Sequence, residues 1–184
     1  MAAKYQEELN ARLRALPLIA APGPWRLVAS VAIGGFEALG FSTDSRHLLV
    51  VSSSGRGVFD SESGEQLARD SSSATGDWYN LERLTVEGIG PVAGQSISVA
   101  GIHGGGLPLV TLDGWVADLL SPDWPSSIVT LSPPGSNPWV QDQSQGVAKV
   151  APTGGDDAVK CYGFSWSRRH LVVATSHNVD LFLR

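Results

Sequence analysis

Residues 39–60 read Leu39-Gly40-Phe41-Ser42-Thr43-Asp44-Ser45-Arg46-His47-Leu48-Leu49-Val50-Val51-Ser52-Ser53-Ser54-Gly55-Arg56-Gly57-Val58-Phe59-Asp60, and a degraded copy of them closes the chain. Gly40-Phe41-Ser42 stands over Gly163-Phe164-Ser165, Arg46-His47-Leu48 over Arg169-His170-Leu171, and Val50, Ser53 and Phe59 over Val173, Ser176 and Phe182. The offset is a constant 123 residues with no gap. Nine ordered identities in about twenty positions exceed what composition produces, so an internal repeat has to be read before anything else.

Working outward, short apolar and β-branched stretches alternate with turn clusters. Strands are expected over Trp25 to Val31, Phe36 to Phe41, His47 to Ser52, Val58 to Asp60 and Gln66 to Arg69, divided by Ser-Thr-Asp-Ser and Ser/Gly turns. Turn signals at intervals near ten residues indicate an all-β sandwich, barrel or propeller. The 21 Gly and 11 Pro suit many short strands joined by turns. Ahead of them, Tyr5, Leu9, Leu13 and Leu16 form one stripe at helical spacing with Pro17 as the stop, so residues 2–16 are expected to be helical, the stripe packing on the body of the domain or, as the alternative, docking onto a partner.

Phe-Ser-x-Asp-x-Arg-x-Leu, a short strand, a Ser/Gly turn and then Val58-Phe59-Asp60 resemble the blade signature of WD40-type β-propellers. Phe59-Asp60 stands where that family carries Trp-Asp, and the Gly-His dipeptide of the family is missing. The resemblance covers residues 36–66 and 160–184. It implies four-stranded blades around a channel. Blades of about 41 residues fit three times into the offset of 123 and four times into Trp25–Arg184. The expected architecture is therefore a single domain over 1–184: an N-terminal helix within 1–17 and a small β-propeller of about four blades over 25–184. The last blade lacks an outer strand, which the stretch from Trp25 supplies, closing the ring by pairing N- and C-terminal strands. A second blade is expected over Leu84 to Leu119, with Asp113-Gly114 as a tight turn. Between Pro125 and the C-terminal copy a third blade decays, with only Ser127 to Leu131 and Gly146 to Val150 looking like strands, and an open β-sandwich or barrel is the alternative.

Thirteen Lys and Arg against eighteen Asp and Glu give a net charge of −5, which disfavours nucleic acid as a partner. No apolar run approaches a membrane span and no signal-peptide pattern opens the chain, so a cytoplasmic location and no membrane partner are expected. Cys161 is the single cysteine, which fits a reducing compartment.

His103-Gly104-Gly105-Gly106 resembles the oxyanion-hole string of lipases and esterases, yet no Gly-x-Ser-x-Gly elbow accompanies it, and a turn between strands is the expectation. His47, His103, His170 and His177 are scattered, and Asp156-Asp157 alone fall far short of a calcium site, so neither a metal nor a cofactor is expected. Six Trp stand out in 184 residues. Trp78, Tyr79, Trp115, Trp124 and Trp139 lie in or beside polar, Pro-rich or Gly-rich segments. With His103 they are the candidate partner-binding residues, because loop aromatics anchor interfaces at low entropic cost. The expected function is a non-enzymatic protein-binding module, one form being an immunity or antitoxin protein that caps a basic toxin or enzyme. Two alternatives stand beside it: a small hydrolase using His103 or a carbohydrate-active propeller using Asp113, Asp118 and Asp123, and a structural subunit of a larger assembly.

Overall fold

The computed structural model describes residues 2–72, 75–153, 155 and 158–184; Asp156 and Asp157 lie outside the described residues. The chain is mainly β. Helix α1 (Ala2–Ala15) precedes two strands, β1 (Leu18–Ile19) and β2 (Arg26–Ala32), that join sheets made much later in the chain.

Sheet I holds β3 (Phe36–Phe41), β4 (His47–Ser52), β5 (Gly55–Asp60) and β6 (Gln66–Asp70) as an antiparallel meander. A one-turn helix, α2 (Thr75–Trp78), leads into sheet II, formed by β7 (Tyr79–Asn80), β8 (Thr85–Glu87) and β9 (Ser96–Ser98). Strand β10 (Ala100–Gly101) then returns to sheet I and pairs with β3. Sheet III contains β11 (Val116–Asp123), β12 (Ser126–Ser132) and β13 (Ala148–Val150), with β1 added in parallel at its edge. Sheet IV contains β14 (Cys161–Phe164), β15 (His170–Ala174) and β16 (Asn178–Leu183). Its outer strand is β2, paired antiparallel with β16 from Asn178↔Ala32 to Leu183↔Arg26. The early strand β2 thus makes the fourth strand of a sheet otherwise formed by the last three strands of the chain.

The turns at the aligned positions make equivalent hydrogen bonds. In sheet I, Ser42 N–H donates to His47 O at 2.9 Å, Ser45 N–H to Ser42 O at 2.8 Å, and Ser61 N–H to Arg46 O at 2.9 Å. In sheet IV, 123 residues on, Ser165 N–H donates to His170 O, Arg168 N–H to Ser165 O and Arg184 N–H to Arg169 O, each at 3.0 Å. Ser45 and Arg168 share a left-handed φ, 60° and 63°. A third, shorter version begins sheet III. Thr111 N–H donates to Trp115 O at 2.9 Å and Gly114 N–H to Thr111 O at 3.1 Å, with Gly114 at φ 93°. Leu109 to Thr111 precedes it as a bridged segment alongside β11, in the place that β3 and β14 hold in their own sheets.

Period-two alternation decides which layer each side chain enters. Along β4, Leu48 and Val50 face sheet IV, meeting Val172, Ala174, Val179 and Leu181, while Leu49 and Val51 face sheet II with Val86, Val92 and Ile97. Along β15, Val172 and Ala174 face sheet I. Leu171 and Val173 join Trp115, Ala117, Val129 and Leu131 of sheet III. Both faces of β4 and β15 are buried, which is why they read as unbroken apolar runs. The sheets stack in the order II, I, IV, III.

The expected single sheet over Leu84 to Leu119 is corrected. That segment divides among sheets II, I and III because β9 and β10 are each only two or three residues long and separated at Val99, where the chain passes from one sheet to the next. Ser127 to Leu131 and Gly146 to Val150 belong with β11, not to a further blade.

Leu9 and Leu13 of helix α1, with Leu16 just beyond it, cluster with Leu120 of sheet III and Val147 just before β13, while Tyr5 is exposed. Leu13→Ala is therefore expected to cost about 2–4 kcal/mol in urea unfolding and Tyr5→Ala less than about 0.5 kcal/mol. Equal losses at the two positions would contradict the packing of this helix. Among the described residues, no helix is long and apolar enough to cross a membrane.

Candidate functional site: the outer side of sheet III

Arginines near the end of α1 position two loops. Arg14 Nε donates to Asp123 Oδ1 at 2.6 Å and its Nη2 to Pro122 O at 2.9 Å, which fixes the tip of the β11–β12 hairpin. Arg12 Nη2 donates to Trp139 O at 2.8 Å and Pro138 O at 3.3 Å, which fixes the long loop between β12 and β13. That loop is also knit internally, by Asn137 N–H to Gln143 O at 2.6 Å, Ser136 Oγ to Gln145 O at 2.6 Å and Trp139 N–H to Asn137 Oδ1 at 2.9 Å. Lys149 Nζ donates to Arg14 O at 2.6 Å and closes the helix end against sheet III.

Two tryptophans are held at the surface by these contacts. Trp124, at the hairpin tip, is 85% exposed, and Trp139 is 45% exposed. Their loops are bound to Arg14 and Arg12, which leave α1 about 200° apart, so the two loops are tied to different sides of the helix. Beside the hairpin, Arg14, Pro122, Asp123, Ile128 and Lys149 line a cleft of about 350 Å³. The Arg14–Asp123 pair is solvent-exposed and orients the hairpin more than it stabilises the fold.

The other candidate residues lie elsewhere. Trp115 is in the core between sheets III and IV, edge-on to Trp25 with centroids 6.1 Å apart. Trp78 and Tyr79 are buried between sheets I and II, stacked at 6.3 Å. The Arg56 guanidinium lies 4.5 Å from the centre of the Trp78 ring, donates to Asp70 at 3.1 Å and reaches Glu87 O at 2.5 Å. His103 is exposed, its ring edge-on to Tyr79 at 5.9 Å. Core burial, which loop composition does not reveal, removes Trp78, Tyr79 and Trp115 from the accessible surface. Burial also pushes the Tyr79 hydroxyl above its ordinary pKa.

His103-Gly104-Gly105-Gly106 forms a turn. Gly104 N–H donates to Gly101 O at 3.1 Å and Gly101 N–H to Gly104 O at 2.9 Å, so the Gly104 donor is already committed. The three carboxylates do not converge. Asp118 and Asp123 sit five residues apart on β11, about 16 Å along an extended strand, where paired glycosidase carboxylates stand about 5–10 Å apart. Asp118 is half-buried and its pKa is raised by burial.

Asp113 holds a bidentate ion pair with Arg184, Nη1 to Oδ2 at 2.5 Å and Nη2 to Oδ1 at 2.9 Å, and Arg184 also lies over Trp25. Arg184, then the Thr111 hydroxyl, lower the Asp113 pKa to about 2. A carboxylate depressed on folding stabilises above its unfolded pKa, near 3.8, and loses that contribution as pH falls toward 2. Asp113→Asn is expected to lower the melting temperature at pH 7 and to flatten its decline between pH 4 and pH 2. An unchanged slope in that window would show the pair to be inert. No protein-family model, curated protein or solved structure matches this chain.

Proposed function

We propose that this chain is a non-enzymatic protein-binding module, built as an arc of WD40-like blades that presents its partner with the tryptophan-bearing side of sheet III. The blade reading is supported by the equivalent turns of sheets I and IV, by the shorter turn of sheet III, and by the completion of sheet IV with β2. The exposure of Trp124 at a hairpin tip pinned by Arg14 is the observation that carries the binding reading. A large aromatic held in water on a fixed loop contributes little to this fold, and tryptophan is enriched among the interface residues whose truncation costs about 2 kcal/mol or more. The net charge of −5 favours a basic partner, and capping a basic toxin or enzyme as an immunity protein is one form of this function.

The test is capture from the native host by the wild-type chain and by the Trp124→Ala/Trp139→Ala double variant. The variant is expected to lose the specific partner while its melting temperature stays within about 2 °C. A partner retained in full by the double variant would refute this surface.

A further inference from the structure

The two repeated turns meet at a seam between sheets I and IV. Ser167 N–H donates to Ser45 Oγ at 2.9 Å, Trp166 Nε1 to Phe41 O at 3.3 Å, and the His170 ring stacks on Phe41 at 5.9 Å. A cleft of about 130 Å³ opens there, lined by Asp44, Arg46, Asp60, Glu62, Arg169 and His170 together with Ser45 and Ser167.

His170 is 3% exposed and its Nε2 has no hydrogen-bond partner. Its other nitrogen, Nδ1, lies 3.3 Å from Ser165 Oγ, which also accepts the His170 backbone N–H at 3.2 Å and stands 3.0 Å from Ser167 Oγ. The Ser165–Ser167 hydroxyl bond can run either way; with Ser165 as its donor, the arrangement taken for the seat below, the ring proton is on Nδ1 and Nε2 offers a lone pair. Burial, and then Arg169, push the imidazole below its ordinary pKa, so it is neutral at pH 7. Asp44 accepts from Ser42 Oγ and Arg46 N–H through Oδ1, and Asp60 accepts from Glu62 N–H, Ser63 N–H and Ser63 Oγ through Oδ1. These bonds hold both carboxylates ionised and leave each Oδ2 for another donor. Glu62 meets Arg169 at 3.8 Å with both side chains largely exposed, a contact weak enough to open.

We propose that this cleft seats the guanidinium of an arginine side chain. In that arrangement the cleft sets a nitrogen lone pair and three carboxylates against two resident cations, Arg46 and Arg169, and the remaining acceptor excess suits a cation with several donors and no acceptor. Guanidinium presents a planar fork of donors and is less strongly hydrated than an ammonium, so it leaves water more readily. That the arginine belongs to a partner protein rests on the binding reading above; the seat's chemistry does not. The seat also stands apart from the tryptophan surface: it forms at the turn that precedes β4 and β15, whereas Trp124 follows β11, at the opposite strand end.

The experiment follows the His170 imidazole by nitrogen-resolved NMR while the full chain is titrated with the peptide acetyl-Gly-Arg-Gly-amide, and separately with its citrulline and lysine analogues. The arginine peptide is expected to shift the Nε2 resonance saturably, with a dissociation constant of about a millimolar. Citrulline, isosteric and uncharged, is expected to leave it unmoved, and lysine to bind at least about fivefold more weakly. Asp44→Ser copies the residue the second turn already tolerates as Ser167, so it keeps the turn. Combined with exposed Glu62→Gln, it is expected to weaken the arginine peptide about tenfold. The Trp124→Ala/Trp139→Ala variant is expected to bind the peptide like wild type, which separates this seat from the tryptophan surface. No saturable shift in wild type, equal binding of citrulline or lysine, or an unaffected Asp44→Ser/Glu62→Gln variant would overturn the assignment.

Discussion

Gly40→Ala is expected to destabilise the fold by about 3 kcal/mol or more, seen as a lower urea midpoint. A methyl group on Gly40 would lie 2.2 Å from Ser98 O and 3.0 Å from the Ile97 side chain. The obstacle is the backbone leaving sheet II for sheet I, so no rotamer change relieves it. Strand β3 is fully packed, and Leu39 and Phe41 on either side of Gly40 are buried, which prevents the strand from backing away. Its counterpart Gly163 meets the same constraint by different means: a Cβ there would lie 2.6 Å from Leu107 Cβ and 3.0 Å from Pro108 O, at φ +140°. Gly106→Ala is the control. Nothing stands within 4 Å of its Cβ position, and its effect is expected within about 0.5 kcal/mol. A Gly40→Ala protein as stable as the Gly106→Ala protein would mean that sheets I and II do not approach as closely as described.

This pair of glycines also shows what could be read from the chain and what could not. Gly40 and Gly163 align in the repeat, and the repeat locates two sheets and the strand that one of them lacks. What makes the glycines necessary is not visible in them. Each is crowded by a segment that carries no copy of the pattern, Ile97-Ser98 in one case and Leu107-Pro108 in the other. Sheet III escaped recognition for a related reason. Its Thr111-Leu-Asp-Gly-Trp turn makes the Ser42-type hydrogen bonds one residue sooner, with Thr111 Oγ1 bound to Asp113 Oδ1 at 2.7 Å as Ser42 Oγ is bound to Asp44 Oδ1 at 2.6 Å. An ungapped offset cannot register a turn that has lost a residue. The preceding strand has dwindled to a bridge at Val110, which removes the alternation as well.

Burial was the other quantity that local composition concealed. Trp78 and Tyr79 follow a Ser-rich stretch and Trp115 follows Asp113-Gly114, contexts that suit surface loops. Each lies where a neighbouring sheet folds over it, a long-range event with no local signature. Trp124 and Trp139 occupy similar contexts, and no sheet covers them. In the same way, His47 and His170 align in the repeat, but only His170 is enclosed, because Phe41 of the first copy covers it. The pattern could bring these histidines to notice; only the meeting of the two copies distinguishes them.

Phe164→Ala is expected to cost about 3–5 kcal/mol, among the largest losses available to a single side-chain truncation here. Phe164 is fully buried and stacks on Trp25 at 5.3 Å and 28°, and Trp25 in turn meets Trp115 edge-on and carries Arg184 over its face. Through Trp25, the Phe164 ring is joined to the segment that leads into β2 and to Trp115, just before β11, within one buried cluster. Removing it leaves a cavity bounded by three chain segments distant in sequence, which are poorly placed to collapse together. A double-mutant cycle with Trp25→Ala is expected to give a coupling of about 1 kcal/mol beyond simple burial. The alternative outcome is informative too: if Phe164→Ala costs less than about 1 kcal/mol, the N-terminal segment is not held by this aromatic layer. Sheet IV would then have to retain β2 through backbone pairing alone. Because β2 completes the second copy of the repeat, that result would weaken the blade reading directly, whereas a large, coupled loss ties the two ends of the chain to one shared core.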